Sequence, residues 1–263
     1  MPENNVVLEI QGSIAHVTLN RPDVHNAFDE ETINDLSDIF DKLAQLSDVT
    51  VVILRGAGKS FSAGGDLNWM KRAAHYTEAE NYEDGLRLAT MLHKLYSLPQ
   101  LTIACVQGAA MGGGMGLVCC CDIVLAQADT KFALSEVKLG LIPATIGPYV
   151  IRAIGERQAK RYFQTGERID CTKARDMHLV HEIFDTAEAM DKSLNDILDA
   201  VKSNAPQAMK AAKILCSDLA GQGVSDEIQK DTACRIARIR AGAEAQEGLS
   251  AFLEKRQAGW VRE

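Results

Sequence analysis

Two glycine-rich segments and one glutamate carry the residue types best suited to chemistry in this sequence. The segment SAGGD covers residues 62–66, GAAMGGGMG covers residues 108–116, and Glu136 lies in SEVKLGLIP. Glycine lets a ligand contact the backbone, because no Cβ intervenes. Free N–H groups at a helix start carry partial positive charge and bind developing anions. Two such turns facing one another would donate two N–H groups to one oxygen, which is an oxyanion hole.

Strand and helix patterns flank both glycine segments. The strand-like run VTVVILRG (49–56) precedes the first segment, and a helix is predicted to start at Asp66. The strand-like run LTIACV (101–106) leads directly into the second segment, and an apolar helix is predicted after it. Each segment is therefore predicted to be a strand-to-helix turn, where the first N–H groups of a helix are free.

The remaining patterns predict an α/β protein. VVLEI and IAHVTL predict a hairpin, and Thr77 with Glu80 forms a capping-box signature for a helix that ends near Ser97. The apolar face of an earlier helix consists of Ile33, Leu36, Phe40, Leu43 and Leu46. From about residue 148 the sequence predicts almost only helices. Alternating strands and helices favour a parallel sheet, but periodicity leaves a doubly wound sheet and a spiral of β-β-α turns both open.

Composition argues against several classes of partner. The 263 residues include 28 Lys+Arg against 36 Asp+Glu, a formal charge of −8, so neither nucleic acid nor an anionic membrane surface is expected as the main partner. No apolar run approaches the roughly 20 residues of a membrane span. The N-terminus does not resemble a signal peptide, and seven cysteines, an odd number, fit a reducing compartment. We therefore expect a cytoplasmic protein.

Common nucleotide and metal motifs are absent from the sequence. Gly58 and Lys59 do not belong to a P-loop, because Ile53 stands where that motif needs its first glycine. The glycines at 112–114 do not open a dinucleotide-binding G-x-G-x-x-G motif, because position 117 is leucine. The six histidines lack metal-site spacing, and three consecutive cysteines (119–121) on a helix cannot converge on one ion. We expect no bound metal.

Five motifs in order resemble those of the crotonase family, that is, enoyl-CoA hydratases and isomerases. They are RPDVHNAF (21–28), FSAGGDL (61–67), GAAMGGGMGLVCCCDIVLA (108–126), SEVKLGLIP (135–143) and FLEKRQAGW (252–260). The likeness covers nearly the whole chain. Within the family, residues 62–72 and 134–163 most resemble bacterial methylglutaconyl-CoA hydratases.

The resemblance implies a fold and a ligand. The fold would be α/β, a crotonase-type spiral of β-β-α turns with a helical C-terminal trimerisation region. Residues 1–200 would form the core domain that binds acyl-CoA, and residues 201–263 the helical oligomerisation region of a homotrimer or a dimer of trimers. The ligand would be an acyl-CoA thioester, with coenzyme A as part of the substrate and no further cofactor.

The resemblance also implies roles for individual residues. The backbone N–H groups of Gly65 and Gly113 would donate to the oxyanion, and Glu136 would be the catalytic carboxylate. Residues implied in substrate binding are Ala27, Phe28, Ala63, Asp66, Leu67, Gly112, Gly116, Phe252 and Lys255. Among these, Ala63 matches the position that recognises adenine, while Phe252 and Lys255 match residues that reach the CoA bound to a neighbouring subunit.

One family carboxylate is missing from the sequence. Family hydratases usually carry two glutamates, and this chain has Gly116 at the position of the first and keeps Glu136 as the second. One carboxylate can still make both proton transfers of a hydration in sequence, if another group positions the water. Family isomerases also work with a single glutamate at the Glu136 position. A hydratase is the leading prediction, a double-bond isomerase the alternative, and a non-catalytic CoA-ester-binding protein the third possibility.

The glycine at 116 also bears on the substrate. Without a side chain there, we expect room in the pocket for a branched or carboxylated acyl group, such as that of 3-methylglutaconyl-CoA. The candidates for contacting a distal carboxylate are Asn68, Lys71, Arg72 and Tyr149.

Overall fold

The structure is a computed structural model that describes residues 4–261. Its strands are β1 (Val6–Gln11), β2 (Ile14–Leu19), β3 (Val51–Gly56), β4 (Leu101–Val106), β5 (Ala109–Met111), β6 (Ile123–Gln127), β7 (Lys131–Ala133), β8 (Arg168–Asp170) and β9 (Glu182–Phe184). Its helices are α1 (Glu30–Gln45), α2 (Leu67–Ala73), α3 (Glu78–Tyr96), α4 (Gly113–Cys120), α5 (Gly147–Thr165), α6 (Cys171–Asp176), α7 (Ala187–Lys202), α8 (Pro206–Leu219), α9 (Asp226–Ala241) and α10 (Ala243–Leu253).

Two mixed sheets organise the strands. The larger sheet has the order β1-β2-β3-β4-β6-β9, and the smaller sheet has the order β5-β7-β8. The predicted hairpin is confirmed, because β1 pairs antiparallel with β2. β2 pairs parallel with β3, and β6 pairs parallel with both β4 and β9, as strand–helix alternation predicts. The α/β architecture is therefore confirmed.

Three short strands were not predicted. β5 lies between the LTIACV strand and the helix that was expected to follow it, so the direct connection is wrong. β8 and β9 interrupt the region after residue 148, so the prediction of almost only helices there is also wrong. Each of these strands has three residues, which is too short for a period-two pattern to show in the sequence.

Helix α1 packs through the face that its periodicity predicts. Ile33, Leu36, Phe40 and Leu43 are buried in the same apolar core as the larger sheet, and Leu46 is half-buried beside them. The helix begins after Asp29, whose carboxylate accepts a hydrogen bond from the Thr32 amide at 2.9 Å. The predicted capping box of Thr77 and Glu80 opens α3. Local capping and tertiary burial therefore agree on where these helices lie.

The chain forms two compact units. The first holds the residues up to Leu98 together with Thr102–Lys192, and the second holds Pro99–Leu101 with the residues from Ser193 onward. The first unit contains the apolar core, and the second is mainly helical. None of the helices within residues 4–261 is long and apolar enough to cross a membrane.

Gly108 fixes the turn between β4 and β5. It has a φ of +64°, and a Cβ built there would lie 2.0 Å from the carbonyl oxygen of Lys59. No side chain of any kind fits so close to a backbone atom, so this turn requires glycine both for its conformation and for its packing. The turn brings the loop after β3 against the loop after β4.

Gly108→Ala should destabilise the protein more than Gly155→Ala. Both glycines have positive φ, but a Cβ at Gly155 would meet nothing within 4 Å. We expect the Gly155 variant to lose about 1–2 kcal/mol from backbone strain, and the Gly108 variant about 1–3 kcal/mol more from overpacking. Urea unfolding of both variants measures the difference. Equal losses would show that the approach of the Lys59 carbonyl does not constrain this turn.

Candidate active site

The first glycine segment begins beside β5 with the hydrogen bonds of an isolated parallel bridge. The Ser62 N–H donates to the Ala109 carbonyl at 2.9 Å, and the Met111 N–H donates to the Ser62 carbonyl at 2.9 Å. The next residue faces the opposite way, because the Ala63 N–H donates to the His25 carbonyl at 2.9 Å. If this alternation continued, the Gly64 N–H would point toward β5 and the Gly65 N–H would point away from it.

Gly64 breaks this alternation. The Phe28 N–H donates to the Gly64 carbonyl at 2.7 Å, and the Asp66 N–H donates to the Phe28 carbonyl at 2.7 Å. Gly64 has a φ of +90°, and a Cβ on it would lie 2.9 Å from the Met111 carbonyl oxygen. The Gly65 N–H is consequently left on the side of β5, and it donates to no acceptor within residues 4–261.

The second glycine segment leaves further amides free. Helix α4 begins at Gly113 after the N-cap residue Gly112, which has no capping side chain and donates its own N–H to the Ala133 carbonyl at 2.9 Å. The N–H groups of Gly113, Gly114 and Met115 have no acceptor in the described part of the chain. These are the orphan donors of a helix N-terminus, and the field of the helix makes them favourable to negative charge.

The two glycine segments and Glu136 lie next to one another. A Cβ built on Gly64 would be 3.9 Å from the Gly112 Cα, and one built on Gly112 would be 3.1 Å from Oε1 of Glu136. The residues that sequence analysis predicts as catalytic therefore come from three adjoining segments. Their roles in catalysis stay predictions.

Each of the three consecutive glycines is required by a different neighbour. Gly112 has a φ of +48° and faces Glu136. A Cβ on Gly113 would lie 2.9 Å from two ring carbons of Phe28, and a Cβ on Gly114 would lie 2.8 Å from the Ser62 Cβ. Packing of the loops therefore accounts for these glycines in the structure itself, in addition to any ligand that the backbone contacts.

Glu136 presents an unusual carboxylate. It is the first residue of a 3-10 turn (Glu136–Leu139), and its Oε2 atom is buried and has no hydrogen-bond partner in the described residues. Burial raises the pKa of this carboxyl above its ordinary value, against a smaller lowering by its own backbone N–H. A buried carboxylate oxygen without a donor is costly to the fold, and such groups are found where they react.

The expected open space at Gly116 is absent. Gly116 is buried one turn after Gly112 in α4, and its N–H donates to the Gly112 carbonyl at 3.0 Å. A Cβ on Gly116 would lie 2.3 Å from Cγ2 of Ile146 and 3.6 Å from Cδ2 of Leu92. Ile146 therefore occupies the volume where a side chain at 116 would project. The prediction that the missing side chain leaves room for a bulkier acyl group is wrong.

The predicted substrate-binding residues of the first unit divide by exposure. Ala63 and Leu67 are exposed, while Ala27 and Phe28 are buried. Phe28 supports Gly113 through its ring, and Asp66 is 6% exposed. Exposure leaves Ala63 and Leu67 accessible to a ligand, and the roles of all five residues in substrate binding stay predictions.

Asp66 is the N-cap of α2. Its carboxylate accepts hydrogen bonds from the amides of Asn68 (2.8 Å) and Trp69 (3.3 Å) and from the Arg21 guanidinium (3.1 Å). Burial alone would raise the pKa of Asp66, but these donors outweigh it and lower that pKa. With its acceptors engaged in this way, Asp66 shapes the segment after Gly65.

Phe252 and Lys255 belong to the second unit. Phe252 is 81% exposed, and Lys255 is exposed with a φ of +52°. Their predicted contact with a neighbouring subunit's CoA, and the trimer or hexamer that it needs, remain predictions.

The candidates for binding a distal carboxylate are differently placed. The Arg72 guanidinium already donates to Glu30, in an ion pair on the surface. Tyr149 packs against Tyr96 with ring centroids 5.3 Å apart, and burial raises its pKa to about 12. Asn68 and Lys71 are exposed. A carboxylated substrate would therefore have to compete with Glu30 for the only arginine among these candidates.

Arg21 and Ile146 were not among the residues predicted from the sequence. Arg21 lies within the RPDVHNAF motif, but its two partners, Asp29 and Asp66, are far apart from each other in the sequence. No residue spacing therefore indicated that all three meet. Ile146 contacts Gly116 from thirty positions away, at the start of α5. Neither contact follows from a local pattern.

Among the described residues, no three or more His, Cys, Asp or Glu side chains come together as metal ligands would.

The chain matches known proteins along almost its full length. The family model for enoyl-CoA hydratase/isomerase matches residues 9–263. This chain belongs to that family. A short-chain-enoyl-CoA hydratase of Clostridium acetobutylicum is 32% identical to it, over 98% of this chain and 97% of that protein. The chain is an enzyme of the enoyl-CoA hydratase type, and its family implies an acyl-CoA substrate.

Solved structures of family members show the same fold. An enoyl-CoA hydratase from Shewanella pealeana has a TM-score of 0.94 at 42% identity and covers 97% of this chain and 96% of that chain. An enoyl-CoA hydratase/isomerase from Marinobacter aquaeolei has a TM-score of 0.92 at 34% identity, covering 98% and 99%. The crotonase fold predicted from the motifs is therefore confirmed.

Gly116→Ala and Ile146→Ala should compensate for each other. Gly116→Ala alone should cost about 1–3 kcal/mol through overpacking against Ile146, and Ile146→Ala alone about 2–5 kcal/mol through the cavity that it leaves. In the double variant the new methyl enters the vacated volume, so the loss should be smaller than the sum of the two. Urea unfolding of the four proteins measures the coupling, and strict additivity would contradict direct packing.

Glu136→Gln should change how stability depends on pH. Burial raises the pKa of Glu136 in the folded state above its value in the unfolded state, which is about 4.3. The free energy of unfolding of the wild type therefore falls as the pH rises from the unfolded-state pKa through the folded-state pKa, and no such loss occurs below the unfolded-state pKa. The variant lacks this loss. Its unfolding free energy minus that of the wild type should therefore be larger at high pH than at low pH.

Glu156→Gln is the matched control for that measurement. Its hydrogen bond and ion pair with Lys160 lower the pKa of Glu156, so the wild type gains stability from it as the pH rises. The unfolding free energy of Glu156→Gln minus that of the wild type should therefore fall with rising pH, whereas the same difference for Glu136→Gln should rise. A pH-independent difference for Glu136→Gln would mean that burial does not perturb this carboxyl.

Proposed function

We propose that the enzyme hydrates an α,β-unsaturated acyl-CoA, with Gly65 and Gly113 as oxyanion donors and Glu136 as the only carboxyl that transfers protons. One observation carries the proposal: within residues 4–261, Glu136 places a buried carboxylate oxygen without a hydrogen-bond donor beside two segments that leave the amides of Gly65 and Gly113 unpaired. Two free donors and one free acceptor are complementary to a thioester that gains negative charge on oxygen while a proton moves.

The proposed reaction needs one carboxyl in two steps. Glu136 takes a proton from water, and the water oxygen bonds to the β carbon of the enoyl group. The π electrons move to the thioester oxygen, where the N–H groups of Gly65 and Gly113 stabilise the enolate. The protonated Glu136 then gives its proton to the α carbon. The raised pKa of Glu136 suits this second step, because the carboxyl must hold the proton between the two transfers.

Double-bond isomerisation is the second candidate, and the contact between Gly116 and Ile146 favours it. The face of α4 one turn beyond Gly112 is covered by Ile146 and Leu92, which are apolar. No carboxylate from this position helps to hold a water molecule. In an isomerase, Glu136 would take a proton from one carbon and return it to another, with no water involved. The same two amides would stabilise the negative charge on the thioester oxygen, which in this reaction belongs to a dienolate.

Product mass separates these candidates. A panel of purified enoyl-CoA esters should include straight-chain esters with the double bond at either position and 3-methylglutaconyl-CoA, the branched, carboxylated ester that the closer sequence likeness suggests. A gain of the mass of one water indicates hydration, and a rearranged product of unchanged mass indicates isomerisation. Binding without any turnover would instead support a non-catalytic CoA-ester-binding protein and overturn the proposal.

Glu136→Gln should reduce kcat by about 10²–10⁴-fold on the best ester of the panel, because it removes the proton-transferring group. The Kd for the ester should stay nearly unchanged, since the amides and the CoA contacts remain. Glu156→Gln, which alters an exposed carboxylate on α5, is the control and should turn over like the wild type. Turnover by Glu136→Gln at the wild-type rate would remove Glu136 from the mechanism.

A further inference from the structure

The side chain of Arg21 joins three parts of the chain next to the candidate active site. Its Nη1 donates to the Ala27 carbonyl at 2.7 Å and lies 3.0 Å from the Asp29 carboxylate, while its Nη2 donates to Oδ2 of Asp66 at 3.1 Å. The guanidinium is mostly buried, as are both carboxylates. A planar group with several fixed donors is suited to holding three acceptors at once.

The backbone of Arg21 is itself held in place. Its N–H donates to Oδ1 of Asn26 at 2.8 Å. The side-chain amide of Asn26, a buried residue with a φ of +55°, donates to the carbonyls of Ala57 (2.8 Å) and Ser60 (2.7 Å). Arg21 is therefore anchored to the loop that leads into the first glycine segment, and its guanidinium is a fixed point for that segment.

Gly65 lies between the two places that Arg21 holds. On one side of it, Gly64 accepts a hydrogen bond from the Phe28 N–H, and on the other, Asp66 donates to the Phe28 carbonyl. The Arg21 guanidinium donates hydrogen bonds to the carbonyl of Ala27, which immediately precedes Phe28, and to the carboxylate of Asp66, which immediately follows Gly65. One guanidinium thus holds the chain at Ala27 and at Asp66, and we call this pair of contacts the bracket. The direction of the Gly65 N–H depends on the bracket.

From this arrangement we infer that Arg21 is a positioning residue for the reaction: through Ala27 and Asp66 it aims the Gly65 N–H at the thioester oxygen. The inference rests on the proposed function, because it takes Gly65 as an oxyanion donor. Arg21 touches neither substrate nor reacting atoms in this role. Arg21 also contacts Asp29, the N-cap of α1. Helix α1 contains neither Ala27 nor Asp66, so this contact is not part of the route to the Gly65 N–H.

Arg21→Met should lower kcat and kcat/KM together by about 10²-fold, the loss expected when a group acting in the transition state is displaced by roughly 1 Å. A fall of both constants by the same factor marks an interaction made only in the transition state. Arg21→Lys keeps the charge and can reach one acceptor at a time, so it should recover part of the lost kcat.

Arg55→Met is the matched control for Arg21→Met. Arg55 forms an ion pair with Asp191 at 2.5 Å in the same unit, outside the site. Both variants should lower the Tm, but only Arg21→Met should lower kcat. If the two variants lose the same Tm and Arg21→Met retains the wild-type kcat, then Arg21 is structural only and the inference is overturned.

Combining variants tests the route through Asp66. Asparagine can still cap a helix, so Asp66→Asn and Asp29→Asn each remove an ion pair while keeping the cap. We expect Asp66→Asn to cost little further kcat once Arg21→Met is present, and Asp29→Asn alone to leave kcat close to that of the wild type. Additive losses of kcat for Arg21 and Asp66 would contradict a shared bracket.

The failure of this inference and the failure of the proposed function are distinguishable in the same experiments. If the wild type turns over no enoyl-CoA ester, the proposed function fails and the inference falls with it. If the wild type is active and depends on Glu136, while Arg21→Met keeps the wild-type kcat, only the inference fails.

Discussion

The positive φ of Gly64 is the constraint on which the rest of the candidate site depends. It changes the side to which the backbone presents its N–H groups, so that both neighbours of Gly65 pair with Phe28 while the Gly65 amide has no acceptor within residues 4–261. A residue with a Cβ would be strained at this φ and would also meet the Met111 carbonyl. The free donor is thus a consequence of backbone pairing, made in the fold before any ligand arrives. Such preorganisation needs no rearrangement when negative charge develops.

The site combines features that do not favour folding. Glu136 holds a buried oxygen without a donor, and the first amides of α4 have no acceptor in the described residues. The Glu136 oxygen has lost contact with water and gained no donor from the described residues, and the α4 amides gain no hydrogen bond from those residues either. The surrounding fold offsets this cost by close packing, with Phe28 against Gly113, Ser62 against Gly114 and an apolar core around both sheets. Function and stability therefore make opposite demands on the same few residues.

Sequence patterns predicted the parts of this fold that are locally encoded. The hairpin, the buried face of α1 and the capping box of α3 follow from periodicity and capping chemistry, and the glycine segments and Glu136 stood out in their motifs. The strands β5, β8 and β9 were missed because three residues are too few to show a period. The packing of Ile146 on Gly116 was missed because it joins positions thirty residues apart, and volume at a position is decided by its neighbours in space. The network of Arg21 escaped notice for the same reason.

The contact between Gly116 and Ile146 also governs how this site can change over generations. A glutamate introduced at 116 while isoleucine remains at 146 would place its Cβ 2.3 Å from the Ile146 Cγ2. Overpacking of this kind destabilises the fold, so a smaller residue at 146 would make a carboxylate at 116 less costly. In the reverse direction, loss of the side chain at 116 makes isoleucine at 146 easier to accommodate. The residue at 146, which has no chemistry of its own, thus affects how readily the site changes between one-carboxylate and two-carboxylate forms.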